Sequence, residues 1–257
     1  MDGNQPDDSD LIASYLLAKV AIVEAGFEGE LAWQERRRVE AVDERLFLAE
    51  AAWVVLSSGM RESVVRKVFP AVEAAFQNWS SAAWIVEHAL ECKRQAALVF
   101  RHERKLDAVV QIARAVAKGG LGPIIAGLRK VGPDSLTTLP YMGPATSKHL
   151  AKNLGIDVAK PDRHLLRVAE AVGYESPASF CAHLANAVGD TVAVVDLVVW
   201  RFATLSDDYL DFFCRRRSDR PLMKSPCRDA PSRVEASLDR RGGTMRRIVR
   251  SGGVEER

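Results

Sequence analysis

An all-α protein is predicted by two features of the chain. Apolar residues recur at helical spacing in nearly every segment between residues 11 and 205, and no stretch sustains an alternation of period two. Leu11, Tyr15, Leu16, Lys19, Val20 and Val23 begin the first helical stripe. Leu46 to Leu56 (LFLAEAAWVVL) is apolar nearly all round, as a helix at the centre of a core would be. Ser63 to Phe76, Ser81 to Phe100 and Glu103 to Ala117 continue with helical periodicity. Gly119, Gly120 and Gly122 break the chain before a short helix over Pro123 to Lys130. About ten helices joined by short loops are expected. The first ten residues, and residues 215–257, read as disordered.

The chain has 257 residues, 47% of them apolar, which suffices for one large or two small packed units. No apolar run approaches the roughly 18 residues of a membrane span. The N-terminus MDGNQPDDSD is acidic and polar, unlike a targeting peptide, so the expected compartment is the cytoplasm. Cys92, Cys181, Cys214 and Cys227 are too widely spaced for a disulfide framework or a paired-cysteine metal site. Each is read as a buried or incidental thiol. Lys and Arg number 36 against 34 Asp and Glu, a net charge of +2. Taken alone, that balance speaks against a nucleic-acid partner. The charges are unevenly placed, however: residues 1–214 carry −5 and residues 215–257 carry +7. The basic tail is either a sequence-independent attraction for DNA or a solvated extension.

The segment from Asp134 to Ala171 (DSLTTLPYMGPATSKHLAKNLGIDVAKPDRHLLRVAEA) is the informative one. A short helix over Ser135 to Leu139 ends at Pro140. The turn Pro140-Tyr141-Met142-Gly143 follows, and a second helix runs from Pro144 to about Asn153, closed by Gly155. Gly143 is expected to permit the tight turn and a close backbone approach. Amide groups at the start of the second helix suit a phosphate. Lys148 and Lys152, four residues apart, share a helical face and are expected to reach neighbouring phosphates. A proline-glycine turn between two helices is also common in any helical protein. Asp162 begins a further helix, where a carboxylate is held ionised and is able to stabilise a sugar cation or to take a proton from water. A plain N-cap explains the same residue.

Together these residues resemble the helix-hairpin-helix DNA glycosylase superfamily. LPYMGPATSKHLAKNLG resembles its hairpin motif and AKPDRHLLRVA its aspartate motif. LAEAAWVVLSSGMRESVVRKVF, KLDAVVQIARAV and VVDLVVWRFA resemble further helices of the family, so the similarity covers roughly residues 46–205. The resemblance implies two helical subdomains with a DNA-binding cleft between them. One would span 48–156 and carry the hairpin; the other would join 11–47 to 157–213 and carry Asp162. By the same resemblance Asp162 is the catalytic carboxylate, and the enzyme hydrolyses the N-glycosidic bond of a base flipped out of the duplex. Tyr141, Met142, Gly143, Ala145, Thr146, Lys148, Lys152, Arg163 and His164 would contact the DNA backbone. Met60 or Arg61 would fill the gap left in the stack, although a plain loop explains that turn equally well. Trp33, Trp53 and Trp200 are candidates for the base pocket. His149 and His164 are expected to be exposed or on phosphate. Asp196, inside an apolar helix, is read as a buried structural hydrogen-bond acceptor.

Two departures from the family refine the reading. Members that also cut the strand carry a lysine where this chain has Ala145, and alanine forms no Schiff base. A monofunctional enzyme that leaves an abasic site is therefore expected. Only Cys214 and Cys227 follow the last core helix, too few for the family's four-cysteine iron–sulfur cluster, so no cofactor and no metal are expected. Tyr141 stands where the hairpin commonly has glycine. The expected partner is double-stranded DNA with a damaged or modified base, bound by a monomer. The base is open: an oxidised, alkylated or mismatched base in repair, or a glucosylated hydroxymethylcytosine of phage DNA, which related bacterial defence enzymes excise. A non-catalytic hairpin module that only holds DNA is the alternative from another class.

Overall fold

The computed structural model describes residues 7–214. The basic tail, Cys227 and residues 1–6 lie outside the described residues. Within them the elements are α1 (Asp8–Ile22), α2 (Glu28–Arg36), α3 (Glu44–Ser57), α4 (Glu62–Ala75), α5 (Ala82–Glu87), α6 (Ala89–Ala97) and α7 (Glu103–Gly119). They continue with α8 (Leu121–Val131), α9 (Pro144–Asn153), α10 (Arg163–Ala171), α11 (Pro177–Val188), α12 (Val192–Leu205) and α13 (Tyr209–Cys214). No strand occurs among the described residues, as the apolar periodicity requires. No single described helix is long and apolar enough to cross a membrane.

The helices gather around two apolar cores. The first is centred on α3, where Phe47, Ala51, Val54, Val55 and Leu56 are fully enclosed. It draws on residues between Val39 and Leu154, with α4, α7 and α9 packed around α3. The second is centred on α12, whose Val194, Val195, Val198 and Val199 are buried. It gathers Leu11 to Leu31 and Ala159 to Phe213, so α1 and α2 return to pack with α10 to α13. The nearly uniform apolarity of α3 and α12 follows from burial on all sides.

Three local features differ from the sequence reading, each for a visible reason. Residues 8–10 are not disordered: Asp7 caps α1 by accepting from the Asp10 amide at 2.8 Å, and acidic residues in the first turn suit the helix dipole. The single helix expected over 81–100 is broken at His88, whose ring stacks on Trp84 at 4.2 Å and whose Nδ1 lies 3.0 Å from the Trp84 carbonyl. The short helix before the hairpin is a 3₁₀ turn, Pro133–Thr138. Elsewhere the punctuation acts as expected: Gly120, at φ +74°, turns the chain by 99° between α7 and α8.

The link from α9 to α10 passes between the cores. Gly155 starts it at φ +97°, and a Cβ there would lie 2.7 Å from the Arg38 backbone nitrogen, so only glycine fits. The Ile156 amide donates to Ala151 and the Gly155 amide to Lys152, both at 3.0 Å, which satisfies the last carbonyls of α9.

Candidate active site

The hairpin is built from Leu139 to Gly143. The Met142 amide donates to the Leu139 carbonyl at 3.2 Å across a turn with Pro140 second and Tyr141 third. Tyr141 takes the left-handed conformation, φ +63°, that the turn needs. A side chain in that region costs about 1 kcal/mol or more, which explains why glycine is common there. Gly143, expected to make the tight turn, has an ordinary φ of −79° and sits at the N-cap of α9. Its lack of a side chain serves approach instead: nothing lies within 4 Å of where its Cβ would be. Pro144 has no N–H to satisfy. No side chain caps α9, and the amides of Gly143, Ala145 and Thr146 find no acceptor among the described residues. Outward amides at a positive helix end form an anion-binding feature. The Thr146 hydroxyl braces the hairpin by donating to the Tyr141 carbonyl at 2.7 Å.

Asp162 is the N-cap of α10, half-buried. Its Oδ1 accepts from the His164 amide at 2.9 Å and the Leu165 amide at 3.0 Å. Its Oδ2 accepts nothing from the described residues. One oxygen thus fixes the rotamer, and the other is uncommitted among the described residues. The N-cap reading of this residue holds, and the cap uses only one of its two carboxylate oxygens.

The neighbours of Asp162 correct part of the phosphate-contact set. Lys152 points inward, 6% exposed, and its ammonium pairs with the Asp196 carboxylate on α12. It does not share an outer face with Lys148, because the last turn of α9, Leu150 to Asn153, is buried all round. Met142 is also enclosed, at 3% exposure, so its backbone alone is available to a ligand. His149 is half-buried, and burial, with Lys160 and Lys152 nearby, pushes its pKa well below the ordinary imidazole value. It is neutral at pH 7 and supplies no charge to a phosphate. Burial likewise lowers His164, whose Nε2 accepts from the Arg163 guanidinium at 3.2 Å and whose ring meets Tyr209 edge-on. Arg163 is exposed and Lys148 half-exposed, both open to an anion.

The loop after α3 is the candidate wedge. Ser57 to Met60 form a turn closed by the Met60 amide on the Ser57 carbonyl at 3.0 Å, with Gly59 at φ +67°. Met60 is 38% exposed and Arg61 is exposed. The residue that holds this turn went unnoticed in the sequence. Lys105, 3% exposed, donates its ammonium to the carbonyls of Leu56 at 2.8 Å and Ser58 at 2.5 Å. The signal was a cation in the first turn of α7, where the helix dipole disfavours it unless carbonyls receive it.

The three tryptophans divide into two groups. Trp53 lies under Arg66 at 5.5 Å and Trp200 under Arg201 at 4.5 Å. Glu30 joins the two, at 3.3 Å from Arg66 and 2.7 Å from Arg201, so an ionic chain links α4, α2 and α12. Trp33 is separate, beneath Arg37 at 4.3 Å, in the joint where Arg37 faces Glu50. Surface recesses of about 340 and 260 Å³ are present, but neither is lined by Asp162 or by any of these rings. Among the described residues no group of three His, Cys, Asp or Glu side chains is arranged to hold a metal ion.

Comparison with known proteins places this geometry in a fold. No protein-family model matches the sequence, and no curated protein is similar to it at the level of sequence. In three dimensions the chain is similar to the Methanocaldococcus jannaschii 8-oxoguanine glycosylase/lyase, solved in complex with a 15mer DNA containing 8-oxoguanine. The TM-score is 0.55 at 15% identity, over 76% of this chain and 98% of that one. The protein therefore has the all-helical fold of that DNA glycosylase.

Proposed function

We propose that the protein is a DNA glycosylase, which hydrolyses the N-glycosidic bond of a base flipped out of double-stranded DNA and leaves an abasic site. The observation that carries this is the pairing of two features on one glycosylase fold. Among the described residues, Asp162 keeps one carboxylate oxygen free, and the hairpin leaves the amides of Gly143, Ala145 and Thr146 open at the start of α9. The amides, with Lys148 and Arg163, hold the phosphate backbone by position and charge. Asp162 then stabilises the sugar as positive charge develops at its anomeric carbon, and aligns the attacking water. Met60 or Arg61 enters the gap in the stack.

Ala145 leaves no amine at the hairpin position where strand-cutting relatives carry one, so hydrolysis ends at the abasic product. Borohydride reduction during turnover is expected to trap no covalent protein–DNA adduct; an adduct lost on Lys148→Ala would overturn the monofunctional reading.

For the base we favour a hypermodified one, a glucosylated hydroxymethylcytosine of phage DNA, which makes the role defensive. The wording GPATSKHLAKNLG and KPDRHLLRVA departs from the housekeeping branches of the resembled family. Arg66 and Glu30, partly exposed beside Trp53, offer charged hydrogen-bonding groups suited to a sugar. Repair of an oxidised base is the second reading, favoured by the 8-oxoguanine in the related structure. The test compares free base released from glucosylated phage DNA, 8-oxoguanine duplex and unmodified duplex, by wild type and Asp162→Asn. Release from lesion duplexes alone sinks the defence reading. Release of no base from any of the three by wild type leaves only a DNA-holding module, and wild-type release by Asp162→Asn removes Asp162 from the chemistry.

A further inference from the structure

The middle of the loop that presents Asp162 is tied to α12. Asp157 Oδ1 accepts from the Ala193 amide at 2.9 Å, in the first turn of α12. Three residues on, the Lys160 amide donates to Asp196 Oδ2 at 2.6 Å. The Lys160 carbonyl in turn accepts from the Asp162 amide at 2.8 Å. The other oxygen of Asp196 pairs with Lys152, whose own carbonyl accepts from Gln34 of α2 at 3.1 Å. Asp196 is 1% exposed, so its two partners account for its burial. One carboxylate therefore touches the last turn of the hairpin helix through a side chain and the aspartate loop through a backbone amide.

We infer that Asp196 is a positioning residue whose buried charge Lys152 balances: by accepting from the Lys160 amide it sets the Asp162 carboxylate in register with DNA held by the hairpin. This rests on the glycosylase reading above and adds to it two residues that touch neither DNA nor base. The chemistry needs such a link. Phosphates are held at the start of α9, the sugar is met at the start of α10, and an error of about 1 Å between them costs roughly a hundredfold in rate. A loop of eight residues with glycine at its head does not transmit that register by itself.

The experiment compares two double variants that remove both charges together, so that neither leaves a lone buried ion. Lys152→Met with Asp196→Asn keeps an acceptor for the Lys160 amide. Lys152→Met with Asp196→Leu removes it. For the Asn double we expect a single-turnover base-release rate, at saturating DNA, within about threefold of wild type. For the Leu double we expect a fall of about a hundredfold with the DNA Kd nearly unchanged. Amide hydrogen exchange at Lys160 in the free protein should accelerate only in the Leu double. Should that variant not fold, Asp196→Val with Lys152→Met carries the same expectation. Equal rates in the two doubles overturn the inference, as does a loss of affinity in proportion to the loss of rate. If wild type releases no base from any substrate, the glycosylase reading fails first, and with it the catalytic purpose assigned to the pair. Exchange at Lys160 then reports separately whether the tether exists.

Discussion

Asp162 serves as both a helix cap and the proposed catalytic carboxylate, and substitution separates the two roles. Asparagine caps a helix about as well as aspartate. In Asp162→Asn the amide oxygen takes over the contacts to the His164 and Leu165 amides, and the NH₂ group replaces the free oxygen. Alanine removes both. The cap is worth about 1 kcal/mol, so Asp162→Ala should lower Tm by about 2–4 °C. Asp162→Asn should leave Tm within about 1 °C. The lost charge matters only in the transition state. A carboxylate about 4 Å from a sugar cation, at an effective dielectric of about 20, contributes ~4 kcal/mol. That corresponds to nearly a thousandfold in rate. The assay is single-turnover release of free base alongside a thermal melt of each variant. Release by Asp162→Asn at the wild-type rate would refute the catalytic role, and a fall in its Tm matching that of alanine would refute the cap argument.

Three further outcomes are expected. Lys105→Met strips the carbonyls of Leu56 and Ser58 of their shared donor, which should destabilise the protein by about 2 kcal/mol and lower Tm by roughly 4–8 °C; an unchanged melt would show that the wedge turn does not depend on it. His149 and His164 resist protonation in the fold, so the unfolded chain binds more protons below about pH 6.5 and stability falls as pH drops from there. His149→Gln should flatten the fall in Tm between about pH 7 and pH 5, and an identical profile counts against the burial argument. Deleting residues 215–257 removes a net charge of +7, which should weaken DNA binding and reduce its salt dependence more than it slows base release at saturation. Equal affinity and equal salt slope in the truncated protein would show that the tail takes no part in binding.

Much of the architecture was legible in one dimension because helices announce themselves locally. The apolar run at Leu46 to Leu56, the Pro144 start and Gly155 stop of α9, and the cap at Asp162 each depend on neighbours within a few residues. Glycine punctuation at 119–122 was equally readable. What failed was what depends on which way a residue turns after packing. Lys148 and Lys152 sit four apart and were read as one face, yet α9 passes between two cores and its last turn has no outer side for Lys152. The strained position of the turn is Tyr141, not Gly143.

The sequence by itself determined the helical class, the hairpin, the position of Asp162 at a helix start and the uneven split of charge. These follow from periodicity, capping chemistry and counting, none of which needs a partner distant in the chain. Tertiary structure alone decided the partners of the buried charges. Asp196 was conspicuous as an acid in an apolar helix, but its pairing with Lys152, 44 residues away, and with the Lys160 amide, 36 away, is invisible to any local rule. The same holds for Lys105 and the carbonyls of Leu56 and Ser58. A buried charge must find its counterpart wherever packing brings one, and packing is settled by the two cores together, not by the segment that carries the charge.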